Sequence, residues 1–255
     1  MNAPRRSPVP RSHEATELRH VIRAACDAIG DDQVLVMGSQ AILAAWKEAV
    51  VPERLSLSSE ADIAAFFDPE ELKADEIMGV LGQDSLFHQT HGFYADGLLS
   101  DGPRLPDGWP DRLLPLTSKT AATTYVGWCL EPHDLCASKM AAGRDKDHEF
   151  VRSTVEARLV DPSELAERIT TTPMRDEVRS TALGLIGRWA PTWDEKRRTQ
   201  FRRARAQART DLLRQSPHKA PPLVRPPIRC SEPTSAGPCR ALQSNCPVHG
   251  DPQSR

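Results

Sequence analysis

The chain has 255 residues, with 33 Lys and Arg against 35 Asp and Glu, and its formal net charge is −2. Hydrophobic residues make up 39% and aromatic residues 5%, a smaller apolar share than in ordinary globular domains. No apolar run is as long as a membrane span, and the first residues lack the apolar segment of a secretory signal. These features disfavour membrane-spanning, secreted and coiled-coil proteins. They predict a cytoplasmic chain with one compact domain and polar extensions.

The periodicity of apolar residues predicts the elements in chain order. Residues 1–12 are rich in Pro, Arg and Ser and are predicted to be disordered. A helix is predicted over 13–29, a buried strand over 33–37, and a helix from 40 to about 48. The later predicted elements are strands at 61–67, 92–94, 112–116 and 124–130, and helices at 70–81, 132–143, 145–158, 162–169 and from 174 towards 213 with a break at Pro191.

This order of elements predicts an α/β (α+β) fold, in which a small mixed sheet is followed by a helical C-terminal half and a disordered tail. The predicted organisation is a domain over 13–193, a basic helix or linker over 194–229 and a Cys/His-rich tail over 230–255. Cys26, Cys129 and Cys136 lie in apolar sequence, where free cysteines behave as small buried side chains.

Two motifs in the first half predict an anion site and a cation site. Gly38-Ser39 lies between a strand and a helix, where unpaired amides favour a phosphate, although Gly-Ser is also common in ordinary turns. Glu60 and Asp62 lie two positions apart on a strand, so their side chains project from one face. Adjacent carboxylates repel unless a cation lies between them, and oxygen ligands suit Mg²⁺. The alternative is a solvated strand edge.

A third motif is the charged segment EPHDLCASKMAAGRDKDHEF over 131–150. Lys139 and Arg144 flank the end of one predicted helix, and Asp147 lies one turn inside the next. These side chains could neutralise the charge of a bound phosphate. They could equally be ordinary charges on exposed helices.

Together the three motifs resemble a known family. A Gly-Ser turn after a strand, a carboxylate pair on a strand and a K-x4-R-x-KD segment on helices are similar to the minimal nucleotidyltransferases, specifically the domain-of-unknown-function relatives of the AbiEii-type abortive-infection toxins. The segments GSQAI, LSSEADI, WCLEPHDLCASKMAAGRDKDHEFVRS and LVDPSELAERI carry the resemblance, which spans roughly residues 34–169.

The resemblance implies the polymerase-beta-type nucleotidyltransferase fold and its functional residues. The implied ligands of Mg²⁺ are the carboxylates Glu60 and Asp62, and the metal bridges the phosphates of an NTP. The positions matching nucleotide-binding residues are Gly38, Ser39, Lys139 and Arg144. The positions matching catalytic residues are Glu60, Asp62, Lys139 and Asp147.

The chain departs from the family at one position of the carboxylate pair. The usual pair is Asp-x-Asp, whereas this chain has Glu60-Ala61-Asp62. Glutamate can still bind a metal ion, but its extra methylene shifts the position of the oxygens. Asp96 is the candidate for a third metal-binding carboxylate.

The C-terminal part has two further features. Residues 196–229 carry eleven Lys and Arg and one acid, Asp211, so the rest of the chain is net negative. Such a basic stretch indicates contact with the phosphate backbone of RNA, and the alternative is a helix that covers the acidic body. The second feature is a potential tetrahedral Zn²⁺ set, with reduced free thiols as the alternative. Its members are Cys230, Cys239, Cys246 and His249.

The sequence therefore predicts a Mg²⁺-dependent nucleotidyltransferase that moves a nucleotidyl group from an NTP to an RNA or protein hydroxyl. The family resemblance adds a role in a toxin–antitoxin or phage-defence system, with an antitoxin protein as partner. The alternative hypothesis is a non-catalytic nucleic-acid-binding or adaptor protein with a degenerate transferase domain and a basic, zinc-binding tail.

Overall fold

The computed structural model describes residues 15–46, 51–52, 55, 58–190 and 193–222, together with the backbone of 233–234 and 237–238. The predicted disordered segment 1–12 and the four predicted Zn²⁺ ligands lie outside the described residues. Within the described ranges, no helix combines the length and the apolar character needed to cross a membrane.

The secondary structure alternates helices and strands in the first half and is helical afterwards. The helices are α1 (Ala15–Ile29), α2 (Ile42–Ala45), α3 (Leu72–Leu81), α4 (Leu86–His91), α5 (Pro132–Ala142), α6 (Asp145–Glu156), α7 (Pro162–Thr171), α8 (Asp176–Trp189) and α9 (Glu195–Gln215), with short 3-10 helices at Ser39–Ala41 and Trp109–Arg112. The strands are β1 (Gln33–Val36), β2 (Glu60–Ala64), β3 (Tyr94–Leu98), β4 (Leu114–Lys119), β5 (Thr124–Cys129) and the short pair β6 (Pro233–Thr234) and β7 (Gly237–Pro238).

Strands β1 to β5 form one mixed sheet in the order β3-β2-β1-β5-β4. The pairs β1–β5 and β2–β3 are parallel, whereas β1–β2 and β4–β5 are antiparallel. Strand β1 is the central strand of this sheet, so its residues Val34, Leu35 and Val36 are fully buried. This position explains the run of apolar residues in its sequence. The predicted fold class, a small mixed sheet followed by helices, is confirmed.

Helix α1 packs its apolar stripe against the sheet. Its buried side chains recur at helical spacing, and Ile22 lies so close to β5 that a Cβ on Gly127 would be 2.4 Å from its Cδ1 atom. The three described cysteines, Cys26, Cys129 and Cys136, are free and buried, as predicted.

The C-terminal helices form a second apolar cluster, which includes Met140, Val151, Leu165, Ile186 and Phe201. These residues come from five successive helices, α5 to α9, so the helical half has its own core. Its first helix, α5, follows β5 directly and therefore connects this core to the sheet. The predicted interruption of the last long helix is also seen, because α8 ends at Trp189 and α9 begins at Glu195.

The structure differs from the predicted elements at several points. The helix predicted over 40–48 is a 3-10 turn followed by one turn of α2, which ends because Trp46 is extended. Helix α4 was missing from the prediction, although Ser85 accepts a hydrogen bond from the His88 amide and Gly92 supplies the left-handed C-terminal residue. Because Gly92 ends that helix, the strand predicted at 92–94 begins only at Tyr94 and extends to Leu98.

Candidate active site

Carboxylates from two neighbouring strands lie on one face of the sheet. In β2, Glu60 and Asp62 are partly exposed, whereas the alternate residues are buried. Strand β3 pairs with β2 in parallel register, which places Tyr94 opposite Glu60 and Asp96 opposite Asp62. The Tyr94 hydroxyl donates a hydrogen bond to Glu60 Oε2 at 3.2 Å. The structure therefore brings Asp96 beside the carboxylate pair.

Asp62 packs directly against the backbone of the Gly-Ser turn. An ideal Cβ on Gly38 would lie 1.5 Å from Asp62 Oδ2, so only glycine leaves space for this carboxylate. The backbone of Gly38 is extended, with φ −88°, and any residue could adopt it. The Met37 amide donates to the Asp62 carbonyl at 2.9 Å, which fixes the turn against β2. Glycine is thus required at position 38 because the Asp62 carboxylate lies so close to the backbone, and not because of its backbone dihedral angles.

Burial and the neighbouring carboxylates raise the pKa of Asp62 and of Asp96. Burial, together with the charges of Glu60 and Asp96, raises the pKa of Asp62 to about 6, against the opposing charges of Lys139 and Arg144. The pKa of Asp96 is also raised, first by desolvation and then by the charge of Glu60 and a hydrogen bond with it. A cation bound at this point would offset the repulsion between the like charges.

The three charges of the third motif form one ion-paired unit, which we call the Lys-Arg-Asp unit (Lys139, Arg144 and Asp147). Lys139 lies in the last turn of α5, and Gly143, with φ +70°, allows the sharp connection to Arg144 at the start of α6. Asp147 accepts hydrogen bonds from Arg144 Nε at 2.5 Å and from Lys139 Nζ at 3.3 Å. Lys139 also lies over the Phe150 ring, 4.7 Å from its centroid.

Asp147 is the buried member of this unit. Its side chain is 1% exposed, whereas those of Lys139 and Arg144 are 17% and 60% exposed. Burial alone would raise the pKa of Asp147, but the hydrogen bond from Arg144 and the charge of Lys139 outweigh it and lower the pKa. Asp147 therefore stays ionised and holds both cations in place.

A cleft of about 660 Å³ lies between these two groups of charges. Gly38 and Asp62 line it on the sheet side, and Lys139 and Arg144 line it on the helical side. Glu60 and Asp96 lie next to Asp62, Asp147 lies behind the two cations, and Ser39 begins the 3-10 helix that follows Gly38. Of the residues predicted in the three motifs, Gly38, Asp62, Lys139 and Arg144 thus line one cleft, whereas Ser39, Glu60 and Asp147 are not among its lining residues.

One part of the predicted anion site is different. The helix after Gly38-Ser39 comprises only the turn Ser39–Ala41 and the single turn Ile42–Ala45. A helix this short has a weak dipole, so it contributes little to phosphate binding. The positive charge of this cleft comes instead from cationic side chains, among them Lys139 and Arg144.

The carboxylates could supply part of the ligand set of a Mg²⁺ ion, with the remaining ligands coming from water and substrate. Among the described residues, no set of three His, Cys, Asp or Glu side chains forms a ready metal cage. Mg²⁺ does not need one, because it keeps several waters and is bound by one or two carboxylates plus substrate phosphates. Asp62, with its raised pKa and its position in the cleft, has the chemistry of such a ligand.

Comparison with protein families agrees with this geometry. The model of a family described as a nucleotidyltransferase of unknown function (DUF6036) matches residues 16–195, more than half of the chain. The protein belongs to this family. No significant match was found among curated proteins or among solved structures. The relationship to AbiEii-type toxins that the sequence suggests stays a prediction.

The match of this nucleotidyltransferase family ends at the start of α9, the helix with the basic sequence. Arg205 pairs bidentately with Glu164, with both N–O distances 2.8 Å, and Arg202 Nη2 lies 3.2 Å from Asp161 Oδ2. Arg209 donates to the Asp111 carbonyl. The basic face of α9 thus binds the acidic body, as in the second interpretation of this stretch, while Lys196, Arg203, Arg214 and Lys219 remain exposed.

Two residues that support the carboxylates were not predicted from the sequence. Tyr94 donates to Glu60, and Gln40, which is 3% exposed, donates from Nε2 to the Ser58 carbonyl at 2.7 Å, just before β2. A signal for Tyr94 existed, because Tyr94-Ala95-Asp96 repeats the alternation of Glu60-Ala61-Asp62. Gln40 had no signal, since its partner is 18 residues away in a loop.

Proposed function

We propose that this member of the nucleotidyltransferase family is a Mg²⁺-dependent enzyme that transfers a nucleotidyl group from an NTP to a hydroxyl of RNA or protein. The observation that supports it is the placement of Asp62 and the Lys-Arg-Asp unit across one cleft, with Glu60 and Asp96 beside Asp62. Carboxylates on one wall and cations on the other suit a metal-bound triphosphate.

The proposed reaction joins the oxygen of the acceptor hydroxyl to the α-phosphorus, releases the hydroxyl proton to water and breaks the bond from that phosphorus to the leaving pyrophosphate. Lys139 and Arg144 bind the phosphate oxygens, where negative charge grows as the pyrophosphate leaves. Asp147 keeps both cations oriented before substrate arrives, since it is buried between them. Mg²⁺, held by Asp62 with Glu60 or Asp96, would supply charge neutralisation at the phosphates.

Incubation of the protein with labelled NTPs, Mg²⁺ and total tRNA or cell lysate tests this proposal. Label should appear in an RNA or a protein, and Asp62→Ala should abolish it. Asp75→Ala is the matched control, because Asp75 is an exposed carboxylate on α3. Transfer that persists in Asp62→Ala would refute the assignment of the site.

The role in a toxin–antitoxin or phage-defence system, with an antitoxin as partner, rests on the sequence resemblance. If it holds, expression of the protein should slow bacterial growth, and Asp62→Ala should relieve the effect. Co-expression with the protein of the neighbouring gene should also relieve it. Normal growth with active transferase in the cells would count against this role.

The second candidate is a nucleic-acid-binding adaptor with a degenerate transferase domain. This candidate is favoured because Glu60 replaces the usual aspartate and already accepts a hydrogen bond from the Tyr94 hydroxyl. Its RNA contact would use the exposed side chains Lys196, Arg203, Arg214 and Lys219. Full-length protein that binds RNA but no NTP would support it, and nucleotide binding would exclude it.

Metal analysis of the full chain, with Cys246→Ser as comparison, tests the proposed Zn²⁺ site separately.

A further inference from the structure

The cleft contains a third cation that the three motifs do not include. Arg104 lines the cleft together with Lys139 and Arg144, and Asp62 is the acidic residue among the described lining residues. Arg104 lies after β3, in the segment that connects this strand to the 3-10 helix Trp109–Arg112. In the part of the chain that the structure describes, Arg104 forms no ion pair or hydrogen bond with another residue.

The charge balance of the cleft therefore changes when Arg104 is counted. The buried Asp147 already balances one of the two cations of the Lys-Arg-Asp unit. Asp62 lines the cleft and is the carboxylate expected to face a metal ion. Among the described residues, Arg104 has no partner, whereas Lys139 and Arg144 are both paired with Asp147. A guanidinium in this position has its donors available for an anion.

The segment that carries Arg104 is anchored on both sides. Leu105 and Pro106, the next two residues, are buried. Before it, the Gly102 amide donates to the Leu99 carbonyl at 3.1 Å, which closes a turn. The base of the Arg104 side chain is thus held in place although its guanidinium is exposed, so binding an anion costs little backbone ordering.

We infer that Arg104 is a substrate-binding residue that donates hydrogen bonds to the phosphate oxygens of the bound NTP. This inference rests on the proposed function and adds a third phosphate contact to it. The chemistry that Arg104 recognises is a phosphate oxygen, which an NTP and a nucleic-acid acceptor both carry. The NTP is favoured because Arg104 shares the cleft with Asp62, Lys139 and Arg144.

Equilibrium binding to the full-length protein in Mg²⁺ tests the inference. The probes are the four NTPs, inorganic tripolyphosphate, the four nucleosides and a short RNA hairpin. Arg104→Ala should weaken binding of the preferred NTP and of tripolyphosphate by roughly 10- to 100-fold, as for loss of one charge-assisted hydrogen bond. Arg104→Lys should recover part of this loss, because it keeps the charge without the bidentate fork. Arg188→Ala, an exposed arginine at the end of α8, should bind like the wild type.

The possible outcomes separate the inference from the proposed function. Wild-type affinity of Arg104→Ala for both NTP and tripolyphosphate would overturn the inference and leave the proposed function standing. A loss confined to the RNA hairpin would also overturn it, because Arg104 would then contact the acceptor. An equal loss for the nucleosides would overturn the assignment to phosphate. If the wild-type protein binds none of the four NTPs, the proposed function fails and the inference fails with it.

Discussion

The carboxylate of Asp62 occupies the space that a side chain on Gly38 would need, since a Cβ there would lie 1.5 Å from Asp62 Oδ2. This contact joins the Gly-Ser turn to the carboxylate strand. It also explains why a glycine with an ordinary extended backbone is required at this position. The two motifs that looked independent in the sequence are thus one structural unit.

Gly38→Ala should therefore displace Asp62 and abolish nucleotidyl transfer. It should also lower the free energy of unfolding by about 1–3 kcal/mol, the usual cost of overpacking. Gly184→Ala is the control, because nothing lies within 4 Å of a Cβ there and Gly184 is in the middle of α8. That substitution should leave activity unchanged and stabilise the helix slightly. Full activity of Gly38→Ala in a transfer assay would contradict the proposed role of Asp62.

Asp62→Asn should change how stability depends on pH in metal-free protein. The folded-state pKa of Asp62, about 6, lies above its unfolded value of 3.8. The stability of the wild type should fall as pH rises from about 4 to 6, because ionised Asp62 is desolvated by burial and repelled by Glu60 and Asp96. Asp62→Asn lacks this loss, so its stability advantage should reach at most about 3 kcal/mol above pH 6. Chemical denaturation at pH 5 and pH 8 measures it, and an equal difference at both pH values would disprove the shift.

Asp147→Asn should release Lys139 and Arg144 from their common partner. Because Asp147 is 1% exposed, loss of its charge should cost about 1–3 kcal/mol of stability. Binding of NTP should weaken, since the two cations are no longer held towards the cleft. Asp145→Asn, an exposed acid in the same first turn of α6, provides the control. Unchanged NTP affinity together with lower stability would limit Asp147 to a purely structural role.

Arg205→Ala should destabilise the body of the protein through α9. It removes the bidentate partner of Glu164, whose side chain is 12% exposed, and a cation beside Glu131, which is 5% exposed. Because Glu164 keeps Arg168 and Glu131 keeps His133, the loss should cost about 1.5–3 kcal/mol, as for a hydrogen bond to a charged group. Both carboxyl groups have lowered pKa values, so the loss should shrink as acid pH protonates them. Arg203→Ala, exposed on the same helix, should cost less than about 0.5 kcal/mol. Equal thermal stability of the two variants would refute the docking of α9.

The same docking affects experiments on the C-terminal part. A chain cut after Trp193 loses α9, which removes Arg198 and Arg202 from Asp161 and removes Arg205 from Glu164. Loss of RNA binding after such a deletion would report damage to the body as much as loss of a contact surface. Point substitutions at exposed positions such as Lys196 and Arg203 avoid this problem.

The sequence by itself determined the class of fold and supplied the candidate residues of the site. Local periodicity was sufficient for β1, α5 and α6, because their apolar and capping patterns are strong and their neighbours are close in the chain. Spacing alone placed Glu60 and Asp62 on one strand face. The motif GSQAI and the segment 131–150 marked the two walls of the cleft.

Only the tertiary structure decided how these pieces meet. Parallel register of β2 and β3 brings Asp96 beside Asp62, and no local pattern encodes which strands pair. The sequence also allowed two alternative partners for the basic residues of α9, namely RNA and the acidic body of the protein. The structure places Arg202 and Arg205 on carboxylates of the body. Long-range pairing is decided by burial and charge across the whole fold, so it follows from the packed structure rather than from a local pattern.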